Sequence, residues 1–429
     1  MKNIVISFFI LFLLILSGCN SKEMETKQNI INTEIQEAPN IKVENNLNKE
    51  NIKENNKIEK IESTNSKIQT EIKEPEVKKS EEYTLSLVAV GDNLYHSTVF
   101  NKGKIDEENY NFDFVYEDIK NFINSFDLAV VNQETVLVDS KNVSSYPCFG
   151  TPLACGEALI NAGFDIMLGA TNHSLDKGTN GIKSTINFWK QHPEIDYVGL
   201  NETIDDYNVI KIIEKNNIKL AILNYTYGTN GINFKNPEDS YMINILSDKD
   251  KIIKDLTYAK ENADLVIVFP HWGTEYVYEE TNYQKEYAEL FTQYGANLII
   301  GAHPHVVEPV KEITSENGNT SICYYSLGNF VSGQDEKPRV LGGIATIDIK
   351  KTVENDSENT IIEKTDFIPS VTHRNSTTVK AYLLKDYTDD LAYNSKLQAT
   401  PDYLWNLWEQ INENSTLNFQ HRNLEEEIN

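Results

Sequence analysis

The sequence has little of what specialised scaffolds need. Four Cys among 429 residues exclude a disulfide-dense framework. Gly numbers 20 and Pro 12, too few for a collagen-like chain. Arginine is confined to Arg339, Arg374 and Arg422, and the formal net charge is -26. Phosphate binding needs Lys and Arg in excess, so a nucleic-acid partner held by a basic surface is excluded. No Cys-x-x-Cys pair offers a thiolate zinc site, and no Gly-x-Ser-x-Gly elbow offers a serine nucleophile. Hydrophobic residues reach only 40%, below the usual ~45–50%. Aromatics at 10% nevertheless require that part of the chain folds.

What is present begins with an apolar run. Lys2 precedes Ile4 to Leu16, and Leu16-Ser17-Gly18-Cys19 follows. The run is shorter than the ~18–20 residues of a membrane-spanning helix and has the layout of an export signal. Small residues before Cys19 are similar to a bacterial lipobox. Residues 1–19 are therefore expected to be a lipoprotein signal peptide, with lipid on Cys19 anchoring the chain outside the cytoplasm to the bacterial cell membrane. Residues 20–82 hold 11 Lys, 14 Glu and no aromatic. Such a segment cannot bury enough apolar surface to offset its ordering entropy, so a disordered spacer is expected. Its charges nearly cancel, and the acidity belongs to residues 83–429.

From Tyr83 onward apolar runs alternate with amphipathic stretches, the rhythm of an α/β domain with largely parallel strands. Strands are expected at Leu85–Val90, Leu128–Val131, Phe164–Leu168, Ile218–Leu223, Leu265–Phe269, Asn297–Ile300, Ile322–Tyr325 and Leu341–Ile349. Helices are expected at Phe112–Phe126, Pro152–Ala162, Gly178–Gln191, Lys249–Asn262 and Asn282–Tyr294. Five strands end in Asp, Glu, Asn or His, and ligands gather at the carboxyl ends of strands in such sheets. Of 8 His, four (His173, His271, His303, His305) directly follow strand-like runs. His303 and His305 alternate, so an extended backbone would aim both the same way. A donor set of Asp, Glu, Asn and His without Cys suits a hard or borderline divalent cation such as Mn²⁺, Zn²⁺ or Fe. Such a cation also reverses the local field, without which so acidic a domain repels an anionic substrate.

The motifs Gly91-Asp92-Asn93, Asn132-Gln133-Glu134, Asn172-His173-Ser174-Leu175-Asp176-Lys177-Gly178, His271-Trp272-Gly273-Thr274-Glu275-Tyr276, Gly301-Ala302-His303-Pro304-His305 and Ser326-Leu327-Gly328-Asn329-Phe330 occur in that order. Together they resemble the poly-γ-glutamate capsule biosynthesis proteins of the CapA type. That resemblance implies the calcineurin-like metallophosphoesterase fold, a central β-sandwich flanked by helices (α/β/β/α). It implies Asp92, Glu134, Asn172, His271, His303 and His305 as ligands of one or two ions, and His173 as general acid. Asp176 follows His173 by three residues and is placed to orient its imidazole. There are departures. The family fold begins Asp-x-His where this chain has Asp92-Asn93-Leu94, so one ligand of the first ion is missing and His96 lies two residues too far. Gln133 stands where Leu is usual, and Ala302 where His is usual.

Glu275, Asn329 and Arg339 are candidates for substrate contact, Arg339 as an anion anchor. Cys148 and Cys155, seven apart, are a candidate small-loop disulfide. Residues 83–385 are expected to form the CapA-type domain, and 386–429 a helical tail packed on it. Three functions compete. One is a metal-dependent hydrolase of poly-γ-glutamate or a related envelope polymer. The second is a non-catalytic assembly or export factor within a capsule synthesis complex. The third is a phosphoesterase, which the fold allows and the missing histidine opposes.

Overall fold

The computed structural model describes residues 80–355, 357–417 and 419. The chain divides into two units, Met1–Lys73 and Glu74–Asn429, and every described residue belongs to the second. The expected signal, the lipidation site Cys19 and almost all of the expected spacer lie outside the described residues.

Two β-sheets face each other. In the first, the strand Ser80–Leu94 runs parallel to Leu128–Gln133, then Ile166–Leu168, then Asp196–Val198. On its other side it is antiparallel to Leu341–Glu354, followed by Ser357–Arg374 and Val379–Leu383. The short strand Asn329–Ser332 also pairs with the end of Ser80–Leu94. The second sheet has a parallel centre of Ile218–Thr226, Leu265–His271, Leu298–Ile300 and Thr320–Tyr324, with antiparallel edges Lys211–Lys215 and Val310–Thr314.

The parallel strands are nearly continuous apolar runs because both of their faces are covered. One face meets the opposite sheet: Leu87, Ala89, Val130 and Leu168 pack against Leu220, Ile222, Ile267 and Leu298. The outer face of the first sheet, Val88, Val90, Val131 and Met167, is covered by the helices Leu153–Ala162 and Gly178–Trp189. The outer face of the second, Ala221, Val266, Val268 and Ile299, is covered by Lys249–Asn262 and Asn282–Gln293. The layer order is the expected α/β/β/α sandwich. Beyond residue 385 the helix Pro401–Asn412, capped by Thr400, buries Leu404, Trp408 and Ile411 in the core between the sheets. Trp408 lies 4.5 Å from the Phe367 ring.

Some elements differ from expectation. Phe112–Phe126 is two four-residue helices, Asp113–Tyr116 and Lys120–Ile123. The Ile119 amide bonds Tyr116 three residues back, so the turn tightens while the helical spacing still buries Val115, Ile119 and Ile123. The candidate Cys148–Cys155 disulfide does not form: Cys148 is exposed, while Cys155 is buried on a helix.

Candidate metal centre

The carboxyl ends of both parallel sets converge at one end of the sandwich. Asp92 ends the run in Ser80–Leu94, Glu134 follows Leu128–Gln133, Asn172 and His173 follow Ile166–Leu168, His271 ends Leu265–His271, and His303 and His305 follow Leu298–Ile300. Two motifs meet here through close backbone approach. The Asp92 amide donates to Gly328 O at 2.9 Å, and a side chain at Gly91 would lie 2.0 Å from that carbonyl oxygen. Only glycine allows this approach.

Glu134 is the centre of the arrangement. Its carboxylate is buried and neither oxygen has a hydrogen-bond partner. Around Oε1 stand three imidazole nitrogens: His305 Nε2 at 3.7 Å, His271 Nε2 at 3.8 Å and His173 Nε2 at 3.9 Å. These separations are too long for hydrogen bonds. For His271 and His305 they suit nitrogen and oxygen atoms that share a cation at about 2.0–2.2 Å from each, whereas His173 stands in none of the donor sets. His303 Nδ1 is likewise buried without a partner. The donors form overlapping sets: Glu134 with His271 and His303, and Glu134 with Asp92 and His305. His271 Nε2 is 2.9 Å from Asn172 Oδ1, which brings the asparagine into the first set. The residues therefore fit a divalent cation.

The surrounding groups orient the ligands. Asp92 Oδ2 lies 3.0 Å from His305 Nδ1 and accepts from the His303 amide at 3.3 Å, while Oδ1 accepts from Asn132 at 2.7 Å. Asn329 Oδ1 is 3.1 Å from His305 Nδ1, and its Nδ2 donates to His305 O and Arg339 O. Asn329 thus supports the histidine and touches the interior of the site. His303 and His305 are not extended: φ is +105° and +58°. Strained backbone, not strand alternation, aims both rings inward.

His173 Nδ1 is 2.8 Å from Asp176 Oδ2, which also accepts from the Phe149 amide at 2.6 Å. The Phe149 ring packs edge-on against His173 with centroids 4.7 Å apart. Arg339 lies at the rim, stacked 3.5 Å over Tyr276 and paired with Glu336 at 2.9 Å. Glu275 is exposed, yet its carboxylate belongs to a third donor set with His303 and His305. His96 is removed from these sets: its Nδ1 accepts from the Gly333 amide at 3.2 Å.

Burial holds the imidazoles of His271 and His303 well below their usual pKa, and neighbouring histidines add to this, so both are neutral and ready to ligate. Burial also acts to lower His305, but the Glu134 and Asp92 carboxylates outweigh it and raise the group to about 9. Burial pushes Glu134 well above the carboxylate range. The two shifts are linked, because the Glu134 charge acts on His305 and the His305 charge acts on Glu134.

Two asparagines, Asn132 and Asn230, join the site without standing in the ligand set expected from the sequence. Asn132 Nδ2 bridges Asp92 Oδ1 and, at 3.3 Å, His271 Nδ1. Asn230 accepts from Tyr227 and Asn172 and lies 3.5 Å from His173 Nδ1. Asn132 lies in the last residues of Leu128–Gln133 and Asn230 comes four residues after Ile218–Thr226, so the strand-end rule that singled out the histidines reaches both.

Known proteins resemble this chain over the region that carries these residues. A capsule biosynthesis protein CapA of Bacillus anthracis is 31% identical over 269 residues, covering 60% of this chain and 62% of that protein. The chain thus spans less than two thirds of that relative's length. The PGA biosynthesis protein CapA of Bacillus subtilis is 27% identical over 329 residues, covering 76% of this chain and 83% of that one. Among solved structures, a novel phosphatase from Mycoplasma pneumoniae aligns over 67% of this chain and 94% of its own at 18% identity, with a TM-score of 0.41. The profile of the bacterial capsule synthesis protein PGA_cap matches residues 86–334, which is more than half of the chain and contains every motif gathered around Glu134; the chain belongs to that family.

Proposed function

We propose that this protein is a metal-dependent hydrolase of capsule biosynthesis, acting on poly-γ-glutamate or a related envelope polymer. It works outside the cytoplasm, held to the cell membrane by lipid on Cys19, beside a capsule synthesis complex. The observation that carries the reading is the buried Glu134 carboxylate, without a hydrogen bond and surrounded by imidazole nitrogens. An uncompensated buried carboxylate is costly and persists where a cation completes it.

Asp92, Glu134, Asn172, His271, His303 and His305 would hold the ion or ions, Mn²⁺, Zn²⁺ or Fe. A divalent cation there supplies a Lewis acid that polarises a substrate oxygen and makes water acidic near neutral pH. Asp176 holds the Nδ1 hydrogen of His173 and stabilises its imidazolium form, whose second proton, on Nε2 facing the cluster, passes to the leaving group and leaves the neutral ring hydrogen-bonded to Asp176. Phe149 closes one side of that ring against water. Arg339, displayed on Tyr276 at the rim, presents a guanidinium to an anionic chain. In a protein of net charge -26, these local cations draw in a polyanion that the wider surface repels.

The test is hydrolysis of γ-glutamyl polymer and of phosphodiesters by the purified protein with Mn²⁺ or Zn²⁺. Polymer cleavage that is lost in His303→Ala and Glu134→Gln is the expected result. Unchanged hydrolysis in both variants defeats the assignment. Restoration of polymer production by the same two inactive variants in a deletion strain would instead establish the assembly or export role.

A further inference from the structure

Position 94 is where the family fold places a histidine ligand, and here it is a buried leucine with 2% exposure. The ion position beside Asp92 is therefore short of a donor. Its remaining donors are Asp92, Glu134 and His305. The other position keeps Glu134, His271, His303 and the adjacent Asn172. Asp92 is also partly engaged, since both of its oxygens already accept hydrogen bonds.

One carboxylate from outside the strand-end set approaches His305, a donor of the deficient position, and His303 beside it. The ligand atoms of Glu275, His303 and His305 lie within 4.8 Å of one another. Glu275 is held there by its neighbour. The Tyr276 amide donates to Pro304 O at 2.8 Å, between the two histidines, and Tyr276 adopts φ +66° to do so. The Tyr276 ring is then fixed between His305, 6.0 Å away, and Arg339 at 3.5 Å. Two buried donors of the cluster have no hydrogen-bond partner, Glu134 Oε2 and His303 Nδ1. An exposed carboxylate placed against buried, unpartnered donors completes a cation site from the solvent side.

We infer that Glu275 replaces the missing histidine as a ligand, so that the centre holds two ions of unequal strength. One is tightly held by Glu134, Asn172, His271 and His303. The other is exchangeable and held by Asp92, His305 and Glu134 together with Glu275. This rests on the metal-dependent reading of the site. It makes Glu275 a metal ligand, and it makes occupancy of the second position depend on the ambient cation concentration. Every donor of the first position is buried, whereas Glu275 is the one exposed donor of the second, which opens that position to solvent.

The test is calorimetric titration of the full, metal-stripped chain with Mn²⁺ and with Zn²⁺, with bound ions counted by elemental analysis. Wild type should take up two ions, the second at least about tenfold more weakly. Glu275→Gln should keep the first ion at unchanged affinity and weaken the second by about tenfold or more. Because Glu275 is exposed, thermal unfolding of that stripped variant should match wild type. Leu94→His should tighten the second ion and remove its dependence on Glu275. A wild type that binds one ion, or a second ion indifferent to Glu275→Gln, overturns the inference and leaves a metal-dependent function standing. A wild type that binds no ion overturns both.

Discussion

Gln133→Leu should destabilise this protein. Gln133 is buried directly before Glu134, and its Oε1 accepts from Asn93 Nδ2 at 2.7 Å. Its Nε2 donates to Thr135 O at 2.8 Å. Asn93, one residue past Asp92, also accepts from Tyr116 at 2.9 Å. The two amides thus join the ends of the strands that carry Asp92 and Glu134. With leucine at 133, the Asn93 amide is left with only the Cys155 sulfur at 3.5 Å as a weak acceptor. An unsatisfied buried polar group costs about 1–3 kcal/mol, so a loss of about 2 kcal/mol is expected after the gain in apolar burial. Asn93→Leu should cost a similar amount. In the double variant neither amide remains, and Tyr116 keeps its 2.9 Å contact with Tyr95. The double variant should therefore be more stable than the sum of the single losses by about 1–2 kcal/mol. Urea unfolding in chelator measures all four corners of this cycle. Strictly additive losses would refute the pairing, and unchanged cation affinity in Gln133→Leu would refute its role in spacing Asp92 from Glu134.

Other consequences can be measured separately. Glu134→Gln should raise the stability of the metal-free protein by about 1–3 kcal/mol, because it removes a buried carboxylate without a partner, while eliminating cation binding; a destabilised variant in chelator would contradict this. Asp176→Asn should lower hydrolysis by about 10²–10⁴-fold with metal content unchanged, and parallel loss of metal would assign the residue to the ligand shell. In chelator, stability should peak near pH 6.5. Burial lowers His96 to about 4, so its neutral folded form confers stability that is complete above its unfolded pKa and is lost as the pH falls toward 4. His305, raised to about 9, confers stability that is complete below its unfolded pKa and is lost as the pH rises through 9; thermal melts across this range that show no maximum would contradict both shifts. Trp408→Ala, which empties a place in the core between the sheets, should cost about 3–5 kcal/mol by chemical denaturation, and a near-neutral effect would mean that the tail helix contributes little.

The parts of the fold legible in the sequence are those where a single face decides. Runs such as Leu265–His271 are apolar on both faces because sheet and helix cover them, and the polar residue that ends each run marks the site end of the sandwich. The long strand Ser357–Arg374 was not evident. Its first half, paired with Leu341–Glu354, is mostly exposed or half-buried, so charged and polar residues stand where an apolar run would have signalled a strand. His303 and His305 were recognised by residue type and place, but their orientation depends on positive φ values that spacing alone cannot encode. Glu275 was legible as a neighbour of the site. Its proximity to His303 and His305 depends on the Tyr276–Pro304 hydrogen bond, which joins two loops distant in the sequence.

The strand Ser80–Leu94 enters the domain at one end and delivers Asp92 at the other. At ~3.3 Å per residue, Ser80 and Asp92 stand about 40 Å apart. Its first eleven residues form an unbroken ladder with Leu341–Glu354, which stiffens that span. The strand therefore works as a strut, with residue 80 at its base and the donor cluster around Glu134 at its tip. A shorter first strand would bring that cluster nearer to residue 80 without altering any residue around Glu134.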